Sequence, residues 1–452
     1  MTRDGIAALA LGLAWACQIG VAATGSPVLL IAGGLTAALY FVLQFGRIAL
    51  VGRFFLLLIL GLGGVTLLRG ADSGEVLARG AVSGLLMVAF LAALATLRVA
   101  AVRSELIRRC GLHLLAQPPG RAYAVLNLGT MLAATVLLFG VINVFGTMVA
   151  RAGAPEAAAR RAMLAVLRGF AMMPVWSPIA LPFGLLAVHY PDVDWLGLLP
   201  MAMAAVAVIA LAGVASDLVE NRAAPPSGVV PPEGSASADV ARLVALVCAL
   251  MLGAGGVAAL TGWPMIRAVI LGVPAAALVW LVVTLPPAGR TMPAIGRHLT
   301  EGLNAERSVL AVMAGAGSCG VMIGALLPVE ALTAALLAAG PPAWIVPACI
   351  VALFMALGQV GFSPTLTFIT LAVLLPDPTV LGLAPQTFYA TVLGVWGLAS
   401  IGTPFSVPAM VTGRLMDTTA HAVAYRWSPL FLVTAPLAVA GLFGALAALG
   451  LG

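Results

Sequence analysis

The chain has 452 residues, of which 62% are hydrophobic and only 8% are Asp, Glu, Lys or Arg, against about 25% charged residues in a soluble domain. With a mean hydropathy of +1.13 it has too few charges to clothe a water-facing surface, which excludes a soluble enzyme, a nucleic-acid partner and a disordered protein. What remains is an all-α, polytopic membrane protein, since helices close their own backbone hydrogen bonds in lipid.

Apolar segments fall at 5–22, 27–45, 47–68, 81–100, 122–150, 163–190, 195–216, 240–260, 263–284, 308–328, 341–376, 384–401 and 428–451. At roughly 20 residues per crossing they predict about 12–13 membrane segments. The first run follows Arg3 and carries Ala14-Trp15-Ala16-Cys17, close to a lipoprotein signal, but the apolar run opening at Pro27 makes it a retained span. The loop 98–121 holds Arg98, Arg103, Arg108, Arg109 and Arg121 against a single Glu105, which places it in the cytoplasm. Val102, Leu106 and Cys110 recur there as on a helix lying along the interface. Met292, Ile295, Leu299 and Leu303 do the same in 290–306. Residues 217–239 read as a polar linker. The chain therefore divides into N-terminal helices 1–46, a first repeat 47–216, the linker 217–239, a second repeat 240–410 and a C-terminal segment 411–452. Cys17, Cys110, Cys248, Cys319 and Cys349 are scattered, with neither disulfide nor metal-site spacing.

The repeat comes from sliding the chain against itself. At an offset of 186, Arg121 meets Arg307, Gly129 meets Gly315, Pro155 meets Pro341, and Ser177-Pro178 meets Ser363-Pro364. At 185, Pro191-Asp192 meets Pro376-Asp377 and Pro200 meets Pro385. The second half's loop is less basic than the first's, which favours inverted copies. Facing repeats are a transporter signature, with the substrate site where they meet.

The 51 glycines and 30 prolines concentrate partly at helix breaks. Trp176-Ser177-Pro178 marks the first, and Gly361-Phe362-Ser363-Pro364-Thr365-Leu366-Thr367 the second. Proline cannot continue a helix from the preceding turn without a kink. A new helix opening there offers free N–H groups and a positive dipole end to an anion. The ending helix leaves carbonyls that suit sodium, near Ser177 and near Ser363. The competing reading is a plain kink with each hydroxyl bonded back to the preceding turn. A third break, from Ser400 through Thr403 to Ser406, gives the second half more hydroxyls. Asn127, Asn143 and Gln359 are intramembrane amides, each a site candidate or an interhelical hydrogen bond. Arg168 is expected to snorkel to the headgroups rather than meet an anion partner. The acids Asp192, Asp194, Glu220, Glu330, Asp377 and Asp417 fall at segment ends, and His113, His189, His298 and His421 lack ligand spacing.

Two repeats, each with an interfacial helix and a broken or re-entrant segment with a Ser-containing tip, resemble the ion transporter superfamily, including divalent-anion/sodium symporters and tripartite periplasmic transporter membrane subunits. The resemblance covers roughly 47–410 and is architectural. It implies a secondary transporter, not an enzyme, in the bacterial inner membrane. It implies an elevator displacement, a homodimer, a small anionic solute and a coupling ion, Na+ or H+. The symporters' tips carry Ser-Asn-Thr, whereas Pro178 and Pro364 follow the serines here, so only Ser177, Ser363 and their surrounding backbone carry over. The rival classes are a membrane enzyme on a lipid-linked substrate, which needs clustered Asp, Glu or His at one interface, and a non-transporting scaffold.

Overall fold

The computed structural model describes residues 2–69, 73–221, 229, 231–284, 292–328, 331, 333–335, 338 and 340–450. The centre of the linker, Arg290 and Glu330 lie outside the described residues. Among the described residues every regular element is helical, and ten stretches are long and apolar enough to cross a membrane. This is a polytopic membrane protein.

The chain opens with α1 (Arg3–Thr24), α2 (Pro27–Gln44), α3 (Leu50–Leu68) and α4 (Ser73–Val102). The basic loop folds as α5 (Glu105–Leu115), with Ile107, Cys110 and Leu114 buried on one stripe. Its Arg109 donates to Asp239 at 2.9 Å, which pins α5 to the first turn of α11 (Ala236–Thr261). Then α12 (Met265–Thr284), α13 (Met292–Ala305) and α14 (Arg307–Leu326) follow. Helices run into the linker from both sides: α10 (Trp195–Glu220) continues through Asp217, and α11 begins at Ala236, capped by the Ser235 hydroxyl.

The segment 122–150 is not one span. It breaks into α6 (Pro119–Leu137) and α7 (Gly140–Arg151). Leu138 takes φ 52° and ψ −134° at the turn, a conformation that normally needs glycine. The two legs fold back, since one short stretch of α5 meets both: Gly111 faces Phe145 and Met148 of α7, and Leu114 faces Gly129 of α6. Residues 341–376 form a second hairpin, α15 (Val346–Gln359) and α16 (Pro364–Leu374). Phe354 and Phe368, on opposite legs, both stack near Trp396. Ala343 approaches Gly382, so the hairpin leaves on the side where it entered.

Two other elements are interrupted crossings. One is α8 (Glu156–Trp176) followed by α9 (Leu181–His189), and the other is α17 (Pro385–Ala399) followed by α18 (Val407–Leu415). The closing helix is α19 (Pro429–Ala448). Antiparallel pairing organises the whole. Gly80 and Gly84 of α4 meet Met322 and Ser318 of α14. Ala171 of α8 crosses Gly397 of α17. The end of α10 bonds to the start of α19, where Leu430 N–H donates to Glu220 at 2.8 Å. Each crossing's second part packs on the other half's hairpin. His189 of α9 lies edge-on to Phe368 of α16, and Leu415 of α18 lies against Gly146 of α7.

The packing places the two Ser-Pro pairs in different kinds of element. The 186-residue offset pairs Ser177, in an interrupted crossing, with Ser363, in a hairpin tip. By kind of element, hairpin matches hairpin and crossing matches crossing, and Ala171 opposite Gly397 is an offset of 226. The sequence does not separate the two, because Ser-Pro opens a new helix equally well after a hairpin tip and after an interruption. The residue pattern records the cap and not the direction the chain takes afterwards.

Candidate functional site

The first break is fully interior. Ser177, Pro178, Ile179 and Ala180 are buried, and Trp176 is half-buried. The Trp176 carbonyl accepts the indole N–H of Trp195 at 2.9 Å. The Ser177 hydroxyl and the Trp176 indole N–H have no partner among the described residues. The back-bonded kink is therefore not what this serine does. Its oxygen stays free beside the opening of α9, where an incoming polar group could take it.

The second break is a tip. Gly361 has φ 91°, a left-handed conformation that glycine adopts without steric cost. Gly361, Phe362 and Ser363 are exposed, while Pro364 and Thr365 are half-buried. Ser363 caps α16 by accepting the Leu366 N–H at 3.2 Å. Thr367 is buried with an unpartnered hydroxyl, whereas Thr370 donates back to the Leu366 carbonyl at 3.0 Å.

The third break is tied to the second. Thr403 donates to the Gly358 carbonyl at 2.8 Å, and the Gln359 amide donates to the Gly402 carbonyl at 3.1 Å. Gln359 Oε1 accepts the Tyr425 hydroxyl at 2.6 Å. Ser400 donates to the Trp396 carbonyl at 2.8 Å, the back-bonded arrangement, so its hydroxyl is spent within the helix. Ser406 caps α18 through the Ala409 N–H. The second and third breaks thus form one polar unit. Ser177 lies apart, on the other side of the Ala171–Gly397 crossing. At 1.5 Å per residue it is about 9 Å beyond Ala171, while Ser400 is about 4.5 Å beyond Gly397.

Asn127 is not at a break. Its amide donates to the Ala165 carbonyl at 3.1 Å and holds the hairpin leg α6 to α8. Asn127→Ala should cost about 1–2 kcal/mol of stability, and a thermal melt of the purified protein checks this. Asn143 is exposed on α7.

Arg168 does not snorkel. It is 1% exposed and donates to the Tyr123 hydroxyl and the Gly213 carbonyl, each at 3.0 Å. Its other nitrogen reaches Glu220 at 3.3 Å and the Ser428 hydroxyl. Its guanidinium lies 4.4 Å from the Phe431 ring centre. The reason is enclosure: α8 is buried on this face, so the side chain finds no open path to the headgroups and takes a partner instead. Nearby, Arg161 grips Asp217 with two nitrogens at 2.6–3.0 Å. Tyr123, Tyr425, Ser428 and Glu220 escaped sequence reasoning as site residues. The one available signal was that a buried arginine needs a carboxylate.

A narrow crevice with about 20 Å³ of room for water lies between these groups, lined by Arg168, Met355, Ile401, Gly402, Ala424 and Ser428 among others. Among the described residues no group of three or more His, Cys, Asp or Glu is gathered as metal ligands. In the loop after α16, the Thr379 hydroxyl and N–H hold the Asp377 carboxyl below the usual range.

Two hairpins and two interrupted helices, each packed against its counterpart, thus make up the centre of the fold. No protein-family model and no curated protein matches the sequence. Among solved structures, the fold is similar to the YdaH transporter of Alcanivorax borkumensis, whose topology is described as unusual, with TM-score 0.61 and 17% identity over 88% of this chain and 98% of that one. It is also similar to MtrF of Neisseria gonorrhoeae, described within a class of antimetabolite efflux pumps, with TM-score 0.53 and 14% identity over 78% and 80%.

Proposed function

We propose that the protein is a secondary active transporter of the ion transporter type, carrying a small anionic solute across the inner membrane with Na+ or H+ as coupling ion. The observation that carries this reading is the pair of interrupted crossings, α8–α9 and α17–α18, packed antiparallel at Ala171–Gly397 with each second part against the opposite hairpin. Two inverted copies, related at the spacing of this crossing, account for that arrangement. The likeness to two solved transporters supports it.

The site in this reading uses the free hydroxyls of Ser177 and Thr367 and the joined second and third breaks at Gly361, Phe362, Ser363, Pro364, Thr365 and Thr403. Ser400 and Asn127 contribute support rather than contact. Helix starts at α9 and α16 attract the anion, and carbonyls left near Ser177 and Ser363 serve sodium if sodium is the coupling ion. Substrate movement is an elevator displacement of hairpins and crossings within a homodimer.

A thermal-shift screen of the purified protein against small anions, with and without sodium, identifies a solute. Its uptake by proteoliposomes should then fall at least tenfold in Ser177→Ala plus Thr367→Val, the loss expected when two buried hydrogen bonds to a charged ligand vanish. Unchanged uptake in that variant removes the site from these residues.

A further inference from the structure

The segment between α18 and α19 is not a simple connection. Asp417 takes φ 47°, and Thr418 N–H bonds to the Gly413 carbonyl at 2.8 Å, so the chain turns back over the end of α18. Gly413 leaves no room for a side chain, since a Cβ there would lie 2.8 Å from the Thr418 carbonyl oxygen. Next comes a π-helix, Ala422–Arg426, in which Trp427 N–H reaches the Ala422 carbonyl at 3.0 Å. π-turns are rare and occur mostly at functional positions.

This strap covers the crevice. Val423 and Ala424 form part of the wall, with Ser428 at its end, while His421 and Arg426 face outward. Two side-chain bonds hold it down. The Tyr425 hydroxyl donates to Gln359 at the end of α15, and Ser428 accepts from Arg168 of α8. Behind it lie Ile401 and Gly402 of the third break and the arginine.

We infer that residues 416–428 are a lid over the crevice leading to the third break, latched by Tyr425–Gln359 and Ser428–Arg168. The π-turn supplies the movement. Relaxing it to an α-turn shifts the register by one residue and swings the following side chains by about 100°. That carries Tyr425 away from Gln359 without unfolding either flanking helix. The inference rests on the third break belonging to the transport site.

The test is reaction of a single thiol behind the strap. Met355→Cys is placed in a full-length protein whose own cysteines are removed, Cys17, Cys248 and Cys349 as Ser and the buried Cys110 and Cys319 as Ala, and its labelling by a small maleimide is timed. Adding Tyr425→Phe should raise the labelling rate roughly five- to tenfold, the population shift from losing one partly buried hydrogen bond. Ser428→Ala should raise it similarly, and both together more. Labelling unchanged in both latch variants, with melting temperatures preserved, overturns the lid. Faster labelling with a Thr403→Val variant that transports normally keeps the lid and removes the transport reading of the third break.

Discussion

Gly397→Ala should unfold or severely destabilise the protein, although it adds a single methyl. A Cβ built on Gly397 would sit 1.8 Å from the Ala171 carbonyl oxygen, well inside contact distance, and the atom it meets is helix backbone rather than a flexible side chain. Overpacking in a well-packed core costs typically 1–3 kcal/mol. Here neither helix can retreat alone, because α8 is held by α6 and α10 while α17 is held by α10 and α19. The loss should reach or exceed about 3 kcal/mol, seen as a collapse of monodisperse yield in detergent and a large fall in melting temperature. Gly441→Ala is the control, since a Cβ there meets nothing within 4 Å, and it should behave as the parent. A stable Gly397→Ala protein would mean that α8 and α17 do not cross this closely.

Arg168→Met should be nearly as damaging, for an electrostatic reason. It removes the cation but leaves Glu220, a carboxylate enclosed beside Tyr123 and the start of α19. Breaking one partner of a buried pair costs about 3–5 kcal/mol, whereas replacing both with groups of similar volume is often close to neutral. Arg168→Met with Glu220→Gln should therefore recover much of what the single change loses. Melting temperature across the single and double variants measures the coupling. Equal stability of the single and double variants would mean that Glu220 is solvated without its partner.

The two changes also separate kinds of information. The crossing at Gly397 was invisible in the chain, where it is one glycine among many in an apolar run. The ion pair was half visible: Arg168 stood out as a charge in a membrane segment, but Glu220 read as a segment end 52 residues away. Ser177 and Ser363 were found from their prolines, because a helix break is a local event written in adjacent residues. The bonds that join the second break to the third were not. Thr403 bonding to Gly358, and Gln359 joining Gly402 to Tyr425, depend on how the second hairpin turns back, which no local pattern encodes.

The opening count of apolar and charged residues determined the solvent, the helical class and the rough number of membrane segments, since those follow from the cost of placing polar groups in lipid. The excess of glycine and proline marked where helices would stop. Only the tertiary structure decided which breaks are hairpin tips and which are interruptions, because proline fixes the end of one helix and says nothing of the heading of the next. It also placed Ser177 in an interrupted helix and Ser363 in a hairpin tip, and brought two backbones together at Gly397, a point with no side chain to announce it.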